Sequence, residues 1–202
     1  PEKQLNQAIK IVQSFSPWLE WQGLSVHIGS QIRDLAPLVE SAEALVRVKK
    51  FLGHYNMDIS VLDIGGGLGI DYHSGEESEE LSMIEMYGAR LKKVLKDFKG
   101  RLALEPGRIL VARSGVLLTQ VEYVKNNGYK NFVIVNSGMN HLLRPCLYQA
   151  FHRILPVTKD QLKSKSLFDV VGPICESSDV LGYDRLLSTP QEGDWLAIMD
   201  TG

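Results

Sequence analysis

Three segments of this sequence set glycine beside a polar or charged side chain directly after an apolar run, where backbone and side chain together can hold a small anion. In Asp63-Ile64-Gly65-Gly66-Gly67-Leu68-Gly69, consecutive glycines let bare backbone approach an anion and turn several N–H groups toward it. A phosphate would suit that loop. The plain alternative is a tight turn, and the spacing is not the G-x-G-x-x-G of a dinucleotide site. Glu105-Pro106-Gly107-Arg108 offers a carboxylate, a proline-pinned backbone, a glycine N–H and a guanidinium in succession. By itself it reads equally as a structural turn with a surface ion pair. His27-Ile28-Gly29-Ser30-Gln31 adds a flat ring and a hydroxyl next to another glycine, although a lone histidine is more often a packed structural residue.

Two further groups lie downstream. Gly172-Pro173-Ile174-Cys175-Glu176-Ser177 places a thiol beside a carboxylate in what reads as a loop after a strand. A free cysteine is more often an inert buried hydrophobe than a reactive group. Arg144 and Tyr148, four apart, can share one side of a helical turn and donate together to a carboxylate; otherwise they are a surface arginine and a half-buried tyrosine.

The elements that must position these residues follow from hydrophobic spacing. Leu5, Ala8, Ile9, Val12 and Phe15 predict a helix over 3–15, and Gly23 to Val26 a short strand ending at His27. Asp34 is placed to cap a second helix with the face Leu35, Leu38, Val39, Ala42, Leu45 and Val46, ending near Gly53 and followed by a strand over 59–64. A third helix carries Leu81, Ile84, Leu91, Leu95 and Phe98 and stops at Gly100, before the strand Leu102 to Leu104. Each strand thus delivers one of the polar, glycine-bearing segments at its C-terminal end, where α/β barrels and open α/β sheets keep their chemistry. Past about 111–115 the pattern changes. Val116 to Val124, the turn Asn126-Asn127-Gly128 and Phe132 to Val135 predict a hairpin, and 168–171 and 195–199 predict further strands. The expected division is an α/β part over 1–112 and a β-rich part over 113–202.

Composition excludes several classes. The 202 residues are 44% hydrophobic and 23% charged with a net charge of −2, so the chain can bury a core and carries no basic footprint for nucleic acid or an anionic membrane surface. No apolar run approaches the roughly 20 residues of a membrane span. The five histidines show no spacing that places two ligands on one helix face, so no metal is expected. Two cysteines are too few for a disulfide framework, which fits a reducing cytoplasm.

Taken in order, the segments at 27–31, 63–70, 105–108, 138–148 and 171–179 resemble those of the fold-type III pyridoxal-phosphate-dependent decarboxylases, and within that family the branch acting on diaminopimelate. The resemblance implies the last three β/α units of an alanine-racemase-like (β/α)8 barrel, followed by most of a β-rich domain, in a homodimer whose active site is shared between subunits. It implies pyridoxal 5'-phosphate as cofactor, with His27 against the ring, Glu105 at the pyridine nitrogen, and Ser30, Gly66, Gly67, Pro106, Gly107 and Arg108 around the phosphate. It implies Arg108, Arg144 and Tyr148 at the distal carboxylate of an amino-acid substrate, Glu176 at its distal amine, and Cys175 as proton donor from the partner subunit. The implied reaction is decarboxylation of meso-2,6-diaminopimelate to L-lysine. The lysine that holds the cofactor covalently in the family is expected upstream of Pro1, and a cofactor-holding tyrosine is expected just beyond Gly202. The 202 residues alone are therefore expected to be inactive. The rival readings are a sister decarboxylase of ornithine, arginine or carboxynorspermidine, and a non-catalytic decarboxylase-like binding protein.

Overall fold

A computed structural model describes residues 4–158 and 164–202. They divide into two compact units, one of residues 4–69 and 78–107, the other of residues 70–77, 108–158 and 164–202. Of the helix expected over 3–15, Lys3 lies outside the described residues.

The first unit is built from helix α1 (Leu5–Ser14), strand β1 (Gly23–Ser25), helix α2 (Leu35–Gly53), strand β2 (Val61–Asp63), helix α3 (Glu77–Val94) and strand β3 (Arg101–Ala103). The three strands form a parallel sheet in the order β1-β2-β3. Helix α2 starts where the Asp34 carboxylate accepts the Ala36 N–H at 2.9 Å, which satisfies one of the donors a helix N-terminus leaves open. Pro37 stands in that first turn, where its missing N–H costs nothing. The helix buries Leu35, Leu38, Ala42, Leu45 and Leu52, a stripe at helical spacing. Beside it Ile59, Leu62 and Ile64 are almost wholly buried.

Helix α3 departs from expectation in two ways. It ends at Val94, with a turn taking the chain toward Gly100, and its buried residues are Glu80, Tyr87 and Leu91 rather than a face running through Leu81 and Ile84. Those two are 60% and 40% exposed. Tyr87, which is polar at one end, was the residue that periodicity alone passed over, and it fixes the phase of the helix.

The second unit holds a short helix α4 (Arg108–Val111), a 3-10 turn at Ala112–Ser114, strands β4 (Val116–Asn126) and β5 (Asn131–Val135), helix α5 (Arg144–Tyr148), and strands β6 (Ile154–Pro156), β7 (Lys165–Val171), β8 (Val180–Ser188) and β9 (Trp195–Met199). The six strands form one sheet in the order β6-β9-β4-β5-β7-β8, in which only the β5–β7 pair is parallel. Strand β4 pairs with β9 through residues 116–120 and with β5 from Val121 on, and a register shift between Val121 and Tyr123 marks the change of course. The β4–β5 turn is closed by asparagines: Asn126 accepts from Gly128 N at 2.7 Å, and Asn127 from Tyr129 N and Lys130 N at 3.0 and 2.8 Å. Val121, Val133, Val135, Phe168, Val170, Leu181, Leu187, Leu196 and Ile198 make the core.

Strand β8 was not visible in the sequence, because Gly182, Asp184 and Arg185 interrupt its alternation and Asp184 has a positive φ of 51°. The consequence is positional: residues 172–179 are the loop expected after a strand, and that loop connects the antiparallel partners β7 and β8. The division between units falls at 107/108 rather than 112/113, and residues 70–77 belong with the second. Ile70 and Tyr72 pack on Ala112, Ile109 and Phe151, and the Arg113 guanidinium donates to the carbonyls of Asp71 and Glu76. Such contacts between residues far apart in the chain leave no periodic trace.

Candidate active site

In the first unit, the three strands end side by side because the glycines after β2 leave room for their neighbours. A Cβ on Gly65 would collide with the Val26 carbonyl, one on Gly66 with the Glu105 carbonyl, and one on Gly67 with the Gly29 carbonyl. Gly65 and Gly67 also have φ of 69° and 101°, which L side chains rarely adopt. Hydrogen bonds then sew the strand ends together: Glu105 N donates to the Gly65 carbonyl at 2.9 Å, Ile32 N to that of Gly67 at 2.9 Å, and Gly69 N to that of Ile32 at 3.0 Å. The Gly66 N–H points at Nδ1 of His27, 3.4 Å away. His27, Ser30, Glu105, Pro106 and Gly107 are all exposed at this end of the sheet, and a Cβ on Gly107 would meet nothing within 4 Å.

The second unit brings together Arg108 and Arg144 through a residue that sequence reasoning did not single out. Arg108 Nη1 donates to the Tyr72 hydroxyl at 2.5 Å, and the Arg144 guanidinium lies over the Tyr72 ring, 4.9 Å from its centre. His152, wholly buried, completes the group: Arg144 Nη1 and His152 Nε2 are 2.9 Å apart, and His152 Nδ1 is 2.9 Å from the Met199 carbonyl. Burial, more than any other influence, lowers the Arg144 pKa; the Tyr72 side chain opposes that shift and the Arg108 charge adds to it. Two guanidinium groups gathered around one tyrosine form a receptor for an anion, with a carboxylate's geometry matched by either fork. Tyr148, at the far end of α5 from Arg144, is 70% exposed.

Cys175 and Glu176 are exposed in the β7–β8 connection. Glu176 Oε1 accepts from the N–H and hydroxyl of Ser178, each at 3.3 Å. The connection is anchored by Asp179, 3% exposed, whose carboxylate accepts Ile174 N at 2.8 Å and Met139 N at 2.6 Å. Gly138 and Gly172 lie against that carboxylate with no space for a Cβ. Asp179 therefore joins the segment that leads to Arg144 to the segment that bears Cys175. The sequence signals for these supporting residues were weak: Tyr72 and His152 stand in no motif, and Asp179 only closes one. Among the described residues, no group of three or more histidine, cysteine, aspartate or glutamate side chains could hold a metal, and no helix is long and apolar enough to cross a membrane.

A parallel β/α sheet with glycine-lined strand ends is thus followed in the chain by a β unit in which two arginines gather around one tyrosine. Residues 26–202 match the family model described as pyridoxal-dependent decarboxylase, C-terminal sheet domain, and the chain belongs to that family. It is 43% identical over 184 residues to the diaminopimelate decarboxylase of Aquifex aeolicus, which covers 91% of this chain and 43% of that protein. The crystal structure of diaminopimelate decarboxylase from Helicobacter pylori complexed with L-lysine superposes with a TM-score of 0.86 at 38% identity, covering 98% of this chain and 48% of that one. A structure of SrLDC in complex with PLP and cadaverine, 23% identical with a TM-score of 0.86, shares the fold. The chain spans about half the length of the relatives it matches. Its fold is accordingly mixed α/β, three β/α units with a parallel sheet followed by the family's sheet domain.

The site residues fit the family's cofactor. A phosphate needs convergent N–H and hydroxyl donors in a place free of side chains, and the Gly65-Gly66-Gly67 cradle, Ser30 and the open backbone at Gly107 are of that kind. A protonated pyridine needs a carboxylate, and Glu105 stands exposed at the same sheet end.

Proposed function

We propose that this chain carries the phosphate-, carboxylate- and proton-handling residues of a pyridoxal-phosphate-dependent decarboxylase that converts meso-2,6-diaminopimelate to L-lysine. The observation that carries the reading is the Arg108–Tyr72–Arg144 group, which offers two forked cations to a second carboxylate that ornithine and arginine do not have. The relatives named above support the same substrate.

When bound, pyridoxal phosphate supplies the electron sink that accepts the pair left by departing carbon dioxide. Ser30 and the backbone of Gly66, Gly67, Pro106, Gly107 and Arg108 would hold its phosphate, His27 would lie against its ring, and Glu105 would keep its nitrogen protonated. Arg108, Arg144 and Tyr148 bind the distal carboxylate of the substrate, and Glu176 its distal amine. Cys175, contributed by the partner subunit of a homodimer, delivers the proton to the carbon that lost carbon dioxide. A positioned thiol is one of the side chains that can serve as a general acid. Both cysteines are unbridged, in keeping with a cytoplasmic enzyme.

The test is a substrate panel on the full-length enzyme with meso-diaminopimelate, ornithine, arginine and carboxynorspermidine. Diaminopimelate is expected to be turned over with the highest kcat/KM, and Arg144→Ala is expected to lower that value by about ten- to a hundredfold, the worth of a charged hydrogen-bonded contact. A wild-type enzyme that prefers ornithine or arginine, or one active on none of the four, overturns the reading.

A further inference from the structure

We propose that His152, in its neutral Nδ1–H form, is a positioning residue that aims the Arg144 guanidinium at the substrate's distal carboxylate; this rests on the function proposed above. The assignment of the proton follows from the partners. A carbonyl oxygen only accepts, so the 2.9 Å contact between His152 Nδ1 and the Met199 carbonyl requires hydrogen on Nδ1. Nε2 is then a lone pair, and the guanidinium 2.9 Å away donates to it. An imidazolium would instead face Arg144 cation to cation.

The surroundings enforce this form. His152 is wholly buried, and the Tyr72 ring meets it edge-on with centres 5.1 Å apart. Arg144 and Arg185 disfavour a second proton, while Asp200 and the Met199 carbonyl favour one; burial outweighs them all and lowers the His152 pKa. Arg144 is thus held from one side by a neutral acceptor and from another by the Tyr72 π-face. Neither neutralises its charge, so direction is fixed while the charge stays available to an anion. An aspartate in place of His152 would fix the direction equally well but would satisfy the cation that the substrate needs.

Two substitutions in the full-length enzyme separate positioning from packing. The Gln amide oxygen reaches about as far as Nε2, so His152→Gln keeps an acceptor for Arg144. The Asn amide reaches about as far as Nδ1, so His152→Asn keeps the link to Met199 and removes the acceptor. His152→Asn is expected to raise KM for diaminopimelate about tenfold or more with kcat within about twofold of wild type, and His152→Gln to restore most of the loss. In the wild-type protein, 15N NMR above the ordinary imidazole pKa of about 6.5 is expected to place the single imidazole proton on Nδ1. An unchanged KM in His152→Asn, or a fall in kcat and thermal midpoint with KM unmoved, overturns the proposal, as does a proton on Nε2. A wild type inactive on diaminopimelate would remove the function reading alone, and the position of the imidazole proton would still decide whether His152 accepts from Arg144.

Discussion

Asp179→Asn is the substitution for which the structure gives the sharpest expectation. The carboxylate receives two backbone donors, Met139 N at 2.6 Å and Ile174 N at 2.8 Å, in a place that is 3% exposed. Asparagine has nearly the same shape but only one acceptor oxygen, so its amide NH2 must face one of the two N–H groups. One charge-assisted hydrogen bond, worth about 1.5–3 kcal/mol, is lost, and one buried N–H is left without a partner at a cost of about 1–3 kcal/mol. The amide cannot swing away, because Gly138 and Gly172 are packed against it. The expected loss is about 3–4 kcal/mol, read as a fall in the urea midpoint with an unchanged slope. Gly172→Ala pushes a methyl group into the same carboxylate and should act by the same route. The double variant is therefore expected to lose clearly less than the sum of the two single losses. A loss under about 1 kcal/mol in Asp179→Asn, or strict additivity in the double variant, refutes the idea that this carboxylate ties the two segments together.

Further expectations concern both units. Gly67→Ala combines a φ of 101° with a collision at the Gly29 carbonyl, and should cost about 2 kcal/mol or more and weaken cofactor retention, measured by thermal melting and by the absorbance of bound cofactor. Cys175→Ser touches an exposed side chain, so the thermal midpoint should stay within about 1 °C. Its kcat should fall on the order of a hundredfold or more, the scale of a lost proton donor. Stability should also vary with pH through His152. Burial depresses its folded pKa, so below the ordinary value of about 6.5 the unfolded chain takes up a proton that the folded chain resists. That stabilisation is complete above about pH 6.5 and is lost as pH falls toward the depressed folded value. The decline in melting temperature between about pH 7 and 5 should be shallower in His152→Gln.

The elements set by short-range chemistry were legible in the residues. The Asp34 cap and the leucine stripe gave α2 its observed limits, and Trp195–Met199 alternates cleanly enough to define β9. Three consecutive glycines announced a loop of unusual backbone. What they could not announce is that each glycine accommodates a carbonyl of another strand end, because that depends on residues about 40 positions away in either direction. The same holds for Tyr72. Nothing in its neighbours distinguishes it from a core aromatic, and its role between Arg108 and Arg144 exists only once residues 70–77 pack into the second unit. Strand β8 was hidden by the polar residues that bend it, and with it the fact that Cys175 sits on a short, anchored connection.

The two groups of residues respond to substitution by different physics, and this bears on how specificity can change within such a fold. The strand-end cradle is made of backbone held by absent side chains, so nearly every replacement at Gly65, Gly66 or Gly67 adds atoms where a carbonyl already stands. The arginine group is made of side chains whose directions are set by neutral partners, Tyr72 and His152, and only His152 is tied in turn to a backbone carbonyl, that of Met199. Under the function proposed above, a substrate lacking the second carboxylate would leave the Arg144 charge beside that of Arg108, which disfavours it. Replacing Arg144 with a neutral residue removes that repulsion but leaves His152 Nε2 buried without its donor, at a cost of about 1–3 kcal/mol. Arg144→Leu is therefore expected to lower the urea midpoint, and adding His152→Phe is expected to recover little of it, because the phenyl ring also takes the Nδ1–H donor away from the Met199 carbonyl.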